Sequence, residues 1–142
     1  MRAQIIPGEF IKIATNVWTE PFWQAAKEGR LVGCQCAKCG RFRMPPSPFC
    51  PNCQSQEINW TQLSGRGVVF SFSVCHRSPF PGMASDFTYV PAIVELPDAP
   101  GTRLCADIVD VDPDDVHIGM DVEVQWGDAQ DGWKVPLFRP KK

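Results

Sequence analysis

The chain reads Cys36-Ala37-Lys38-Cys39-Gly40 and then, with ten residues between the pairs, Cys50-Pro51-Asn52-Cys53. Two Cys-x-x-Cys pairs at this separation can set four thiolates at the corners of one tetrahedron, which is the geometry a structural Zn²⁺ accepts. Each pair brackets a tight knuckle whose backbone N–H groups can point at the sulfurs. Gly40 is free to take positive φ after the first pair, and Pro51 stiffens the second. Four protein ligands close the metal's shell and leave no position for water or substrate. The metal is therefore expected to fold the chain rather than turn anything over.

Two other uses of the same cysteines have to be weighed. Disulfides fit poorly, because seven cysteines is an odd number and Ile5-Ile6 runs straight into Pro7-Gly8-Glu9 without forming a secretion signal. Iron fits the ligand set as well as zinc does, since ligand type alone does not separate the two metals. Zinc at Cys36, Cys39, Cys50 and Cys53 is the expectation.

The 142 residues suffice for one ordinary domain, or for a small metal module beside a compact barrel. No apolar run approaches the ~20 residues of a membrane span, so a soluble cytoplasmic protein is expected. Charge is unevenly spread. Residues 1–45 hold seven Lys/Arg against three Asp/Glu, residues 46–142 seven against thirteen, for a total of −2. An acidic second half argues against broad nucleic-acid binding, which needs a basic face to displace counterions from phosphate. Fourteen prolines favour turns and short strands over long helices.

Residues 1–18 read as an extended arm carrying Ile5, Ile6, Phe10, Ile11, Ile13, Val17 and Trp18. A helix is expected from Thr19 or Glu20, with Pro21 in its first turn, Phe22, Trp23, Ala25 and Ala26 on its apolar face, and Gly29 past its end. Arm and helix either fold over the ribbon or dock onto a second protein. Leu31 to Gln35 and Arg41 to Met44 look like ribbon strands, joined to Cys50 by an arch of Pro45, Pro46 and Pro48. Cys34 shares a strand face with Cys36 but would distort the knuckle as a ligand, so it is read as a bystander.

From Trp60 the pattern turns to period two. Val68, Phe70, Phe72 and Val74 alternate with Val69, Ser71, Ser73 and Cys75, after Gly65 and Gly67, which suit a bend or bulge. A loop from Ser78 to Thr88 follows. Further strands are expected at Tyr89 to Leu96, with Pro91 at an edge or in the first rungs, at Leu104 to Ile108, at Val122 to Trp126 and at Trp133 to Phe138. Five short strands with glycine-marked bends fit a Greek-key barrel of the OB type better than a seven-stranded sandwich.

Reagents for catalysis are scarce. His76 and His117 are the two histidines, and Cys75 and His76 face opposite sides of a strand. The acidic run Asp110, Asp112, Asp114, Asp115 lacks the glycine and later glutamate of a calcium loop. On residues alone the chain is a binding module.

The ordered set of parts is more specific than any one of them. Phe22-Trp23, Gly29-Arg30-Leu31, Cys36-x-x-Cys39-Gly40, Pro45-Pro46 and Cys50-Pro51-x-Cys53 come first. Gly65-x-Gly67, Pro91 to Leu96, Ile118-Gly119-Met120-x-Val122 and Phe138-Arg139-Pro140 follow. From about Trp18 to Pro140 this resembles the family that joins a rubredoxin-like zinc ribbon to an OB fold, long catalogued as a domain of unknown function. The resemblance implies a mainly β chain: an arm and helix over 1–30, a zinc ribbon over 31–60 and an OB barrel over 61–142. It also implies metal ligation by the four cysteines and a role as accessory subunit of a thiolase-like acyl-CoA enzyme, such as the retro-aldolases of steroid side-chain degradation, sometimes with hydratase-type subunits. The chain itself would supply no catalytic residue. Arg30, Lys38, Arg41 and Arg43 lie near the ribbon, with Arg41 and Arg43 as candidates for CoA phosphates. The competing class is an OB module for single-stranded nucleic acid, stacking bases on Phe70, Phe72 or Trp126.

Overall fold

Asn16 starts the one α-helix of the computed structural model, which describes residues 2–142. Its carboxamide oxygen accepts from the Trp18 and Thr19 amides at 2.9 and 3.0 Å, and the Thr19 hydroxyl accepts from the Asn16 amide. Helix α1, Glu20–Lys27, therefore begins where expected with Pro21 in its first turn. Thr19 takes the N-cap position without a side-chain bond to the first turn, and its hydroxyl instead closes a reciprocal turn with Asn16. Gly29, at φ +76°, closes it while the Gly29 and Arg30 amides donate to the Ala26 and Ala25 carbonyls. Phe22, Ala25 and Ala26 are the buried face.

The ribbon follows as β1 (Val32–Cys36), β2 (Phe42–Arg43) and β3 (Ile58–Gln62), an antiparallel sheet in the order β2-β1-β3. Strand β3 is not legible as a ribbon strand in the sequence, because Trp60 to Gln62 merges into the period-two pattern beyond it. Its partners identify it: Trp60 lies opposite Cys34 and Ile58 opposite Cys36.

Five strands then close a barrel: β4 (Arg66–Phe72), β5 (Val90–Glu95), β6 (Arg103–Ile108), β7 (Asp121–Asp128) and β8 (Lys134–Pro140). Their order around it is β4-β5-β6-β8-β7, with β6 and β8 parallel where Ile108 meets Phe138. This is the expected OB architecture, mainly β. Val69, Val90, Val94, Ile108, Val122 and Phe138 fill it, none more than 1 % exposed.

Strand β4 departs from simple alternation. Val69 faces the core and Phe70 is 43 % exposed, yet Phe72 and Val74 pack against the core again. The register with β5 shifts between Val69 and Ser71, and one extra residue there reverses which parity faces inward. The glycines work upstream of that bulge. A Cβ on Gly67 would sit 2.4 Å from Val94 Cγ1 and 3.1 Å from Phe138 Cε1, so Gly67 is what lets β4 close on the core.

The N-terminal arm lies on the barrel, which corrects the first of the two alternatives, that it folds over the ribbon. The Ala3 amide donates to the Val111 carbonyl at 2.7 Å, and Gln4 and Thr88 exchange bonds at 2.8 and 3.0 Å. Farther along, the Gln130 amide donates to the Ile11 carbonyl, and Phe10 stacks on Phe80 of the Ser78–Thr88 loop at 6.1 Å between centroids. The arm's backbone N–H and C=O groups find these partners on the barrel, and the short ribbon sheet offers it none. Helix α1 bridges the two parts, touching both β1 and β8.

Gly67→Ala should lower stability by about 1–3 kcal/mol through overpacking against Val94 and Phe138. Chemical denaturation with an unchanged urea slope would check it.

Candidate metal centre

Strand β1 ends on Cys36, so the first ligand is delivered by the sheet and the second by the turn that follows. The Gly40 amide donates to the Cys36 carbonyl at 3.0 Å with Gly40 at φ +81°, and the Cys39 amide points at Cys36 Sγ at 3.4 Å. The second knuckle repeats this: the Gln54 amide donates to the Cys50 carbonyl at 2.9 Å, with Gln54 itself at φ +62°. A non-glycine residue in that backbone region carries strain that the surrounding knuckle must hold.

The knuckles face each other. Cys36 Sγ lies 3.5 Å from Cys53 Sγ, Cys39 Sγ lies 3.5 Å from Cys50 Sγ, and all four sulfurs fall within 4.8 Å of one another. A disulfide would need about 2.05 Å, and a tetrahedron of about 2.3 Å metal–sulfur bonds has edges near 3.8 Å. The donor set fits a tetrahedral, thiophilic ion. Cys36 and Cys50 are buried, Cys53 is half-buried and Cys39 is exposed, so one vertex meets solvent. Among the described residues this is the one cluster of three or more such ligands, and the aspartates of the 110–115 turn do not form another. Asp112 there accepts from the Asp114 amide, and Asp110 takes Arg2 at 2.8 Å.

The thiols are not equivalent. The Arg41 amide and then the Asn52 side chain bring Cys39 down to about 6. At Cys53 the Ser55 amide pulls downward, but burial and the crowd of neighbouring sulfurs together push it up to about 11. A metal entering at neutral pH meets a thiolate at Cys39 and must displace a proton from Cys53.

The other residues singled out in the sequence are placed as follows. Cys34 is fully buried on β1 outside the cluster, its thiol pushed up by burial and pulled down by Arg43. Arg41 is exposed, whereas Arg43 is 6 % exposed and its Nε and Nη2 donate to the Ser47 carbonyl at 3.0 and 2.8 Å. Arg30 pairs with Glu28 at 3.0 Å and Lys38 is exposed. Cys75 bridges to Tyr89, while His76 meets the Thr88 hydroxyl and His117 the Asp115 carbonyl. Phe70 has its face covered by the Arg103 guanidinium at 3.7 Å, and Phe72 and Trp126 pack on the core, so these three rings form no open row.

Asp107 carries no motif and was invisible in the sequence. It lies opposite Pro91 on the barrel wall, lining a cleft under Ile5, Ile6 and Ile11 of the arm, where burial raises its carboxyl above the usual range.

Residues 23–59 match the rubredoxin-like zinc ribbon domain of ChsH2, and residues 60–127 match its C-terminal OB-fold domain. The fold and the four-cysteine cluster define a zinc-ribbon/OB-fold protein, and the chain belongs to the DUF35 family. A DUF35 domain-containing scaffold protein of Methanocaldococcus jannaschii is 40 % identical over 71 % of this chain and 71 % of its own length. A probable enoyl-CoA hydratase alpha subunit of Thermomonospora curvata is 42 % identical over 84 % of this chain, which spans only 36 % of that protein. A solved structure described as the Ltp2-ChsH2(DUF35) aldolase superposes with a TM-score of 0.81 at 38 % identity, covering 91 % of this chain and 98 % of the other.

Two outcomes are expected. Metal uptake should release protons, and affinity should rise as pH increases from about 6 toward 11, the window set by Cys39 and Cys53; chelator competition across pH reads this directly. Separately, Asp107→Asn should stabilise the fold at neutral pH. The raised native value means ionisation disfavours the folded state, so stability falls as pH rises above the ordinary aspartate value of about 4, and the gain should vanish below it. Paired melts of the two proteins across pH measure that difference.

Proposed function

We propose that this chain is a non-catalytic accessory subunit of a thiolase-like acyl-CoA enzyme, in which it grips the catalytic subunit and helps to shape the acyl-CoA site. The observation that carries this reading is the likeness to a chain of the Ltp2-ChsH2(DUF35) aldolase across 98 % of that chain. The scaffold name of the archaeal relative and the CoA-ester name of the actinobacterial one point the same way. The partner is a retro-aldolase or thiolase acting on a CoA ester, of which steroid side-chain esters are one class, in the cytoplasm. Zinc occupies Cys36, Cys39, Cys50 and Cys53 and stiffens the ribbon.

The parts divide the work. The arm and helix of residues 1–30 and the ribbon of 31–60 dock, and the barrel of 61–142 with its Ser78–Thr88 loop borders the acyl or CoA channel. Val17 and Phe49 support this, for they stand 72 % and 57 % exposed beside the helix and the second knuckle. Exposed apolar side chains flanking a rigid element are what a partner covers. A cleft of about 330 Å³ opens between Phe22, Trp23, Met44, Pro45, Pro46 and Leu104, where helix, proline arch and barrel meet. Because Arg43 is buried, attraction of CoA phosphates falls to the exposed cations Lys38 and Arg41, with Arg30 beside them.

Co-expression with a thiolase-like partner, if one is encoded beside this chain, should give a stable complex that cleaves the CoA ester, with neither subunit active alone. Acyl-CoA turnover by the lone chain, or turnover indifferent to it, would end the proposal. Val17→Asp with Phe49→Asp should weaken the complex at least tenfold while leaving the melting temperature of the isolated chain within about 2 °C, as co-purification and calorimetry would report.

A further inference from the structure

Arg43 is an anomaly. Its side chain is 6 % exposed, Nη1 has no hydrogen-bond partner, and no carboxylate pairs with it among the described residues. A buried guanidinium without a counter-charge is expensive, and proteins retain one only where negative charge is close. The usual suppliers, Asp and Glu, are missing here, so the charge has to come from elsewhere.

The register shows where. Arg43 on β2 stands directly opposite Cys34 on β1, so the two side chains share a face of the ribbon sheet. Cys36, two residues along β1, projects from that same face. The guanidinium is fixed by Nε and Nη2 on the Ser47 carbonyl, in the segment that leads three residues later into Cys50. Arg43 is thus tied to the arch that delivers the second pair, and it acts on the Cys34 thiol, which also feels Cys36 and Cys50. Four thiolates around a divalent ion carry a net charge of −2, whichever of zinc or iron is bound.

We propose that Arg43 is a positioning residue of the metal centre: its buried positive charge is the counter-ion of the metal–tetrathiolate dianion, and it anchors the Ser47 arch against the second knuckle. Lys38 and Arg41, though nearer in sequence to Cys39, are exposed and therefore screened by water. Arg43, 6 % exposed, is screened far less. The inference rests on the reading of the four cysteines as a metal site.

The test uses the full-length chain loaded with zinc for affinity and with iron for redox potential. Arg43→Gln places an amide donor where Nε stands against the Ser47 carbonyl, and removes the charge together with the Nη2 bond. Zinc affinity, read by chelator competition, should drop 10- to 100-fold, the usual cost of losing an outer-shell partner. The Fe(III)/Fe(II) midpoint should fall, because the reduced site is the more negative one. Each tenfold selective loss of the ferrous form is about 59 mV. Arg43→Lys should retain both values, and Arg41→Gln should change neither. A purely architectural role for Arg43 would leave the potential of R43Q at the wild-type value, and that result overturns the inference. So does an equal shift in the Arg41 variant. Should R43Q not fold, R43K decides: wild-type affinity and potential support the inference, and loss of either in a folded protein overturns it. A wild-type chain that takes up no metal would instead overturn the metal-centre reading, and this inference with it.

Discussion

Four thiols brought within 4.8 Å of one another are a concentration of latent negative charge that the chain must have a reason to tolerate. Ionised together they repel; protonated together they waste the knuckle amides aimed at Cys36 and Cys39. A divalent ion resolves both difficulties. The ribbon's three strands are short, with β2 only two residues long, and such a sheet buries too little to hold itself. Metal coordination closes loops that hydrogen bonds alone would leave frayed, and in small metal modules binding free energy is folding free energy.

The barrel depends on a different constraint, close approach. Gly67 admits Val94 and Phe138 to positions a Cβ would forbid, and the bulge after Val69 turns the outer end of β4 so that Phe72 and Val74 rejoin the core. The arm then lies along the barrel through backbone bonds from Ala3 and Gln4, and helix α1 packs between ribbon and barrel. Ribbon and barrel are thus joined by an N-terminal segment that itself leaves Ile5 and Val17 exposed. A scaffold that is stiff on both sides and apolar at the seam is suited to holding another protein in a fixed pose.

The four-cysteine cluster, the helix and the barrel class were all legible in the sequence because each is written in local spacing. Cys-x-x-Cys pairs set a tetrahedron from a few bonds. Pro21 and Gly29 punctuate the helix ends. Alternating apolar residues mark strands whose partners need not be known. The turn ahead of the helix was not legible: Asn16 Oδ1 takes the Trp18 and Thr19 amides there, while Thr19 itself keeps the N-cap position. The inward face of β4 was misjudged because a bulge leaves no mark in an alternating run.

The sequence by itself determined which atoms could hold a metal and how many strands could close, since both follow from short-range geometry and side-chain chemistry. Tertiary structure decided what depends on neighbours far away in the chain. It sent the arm to the barrel instead of the ribbon and left Asp107 half-buried in a cleft the arm lines. It also turned Arg43 inward while leaving Arg41 in water. The two arginines are two residues apart and identical in sequence terms. They differ physically because a guanidinium's charge is governed by the dielectric and partners around it, and only the packed fold supplies those.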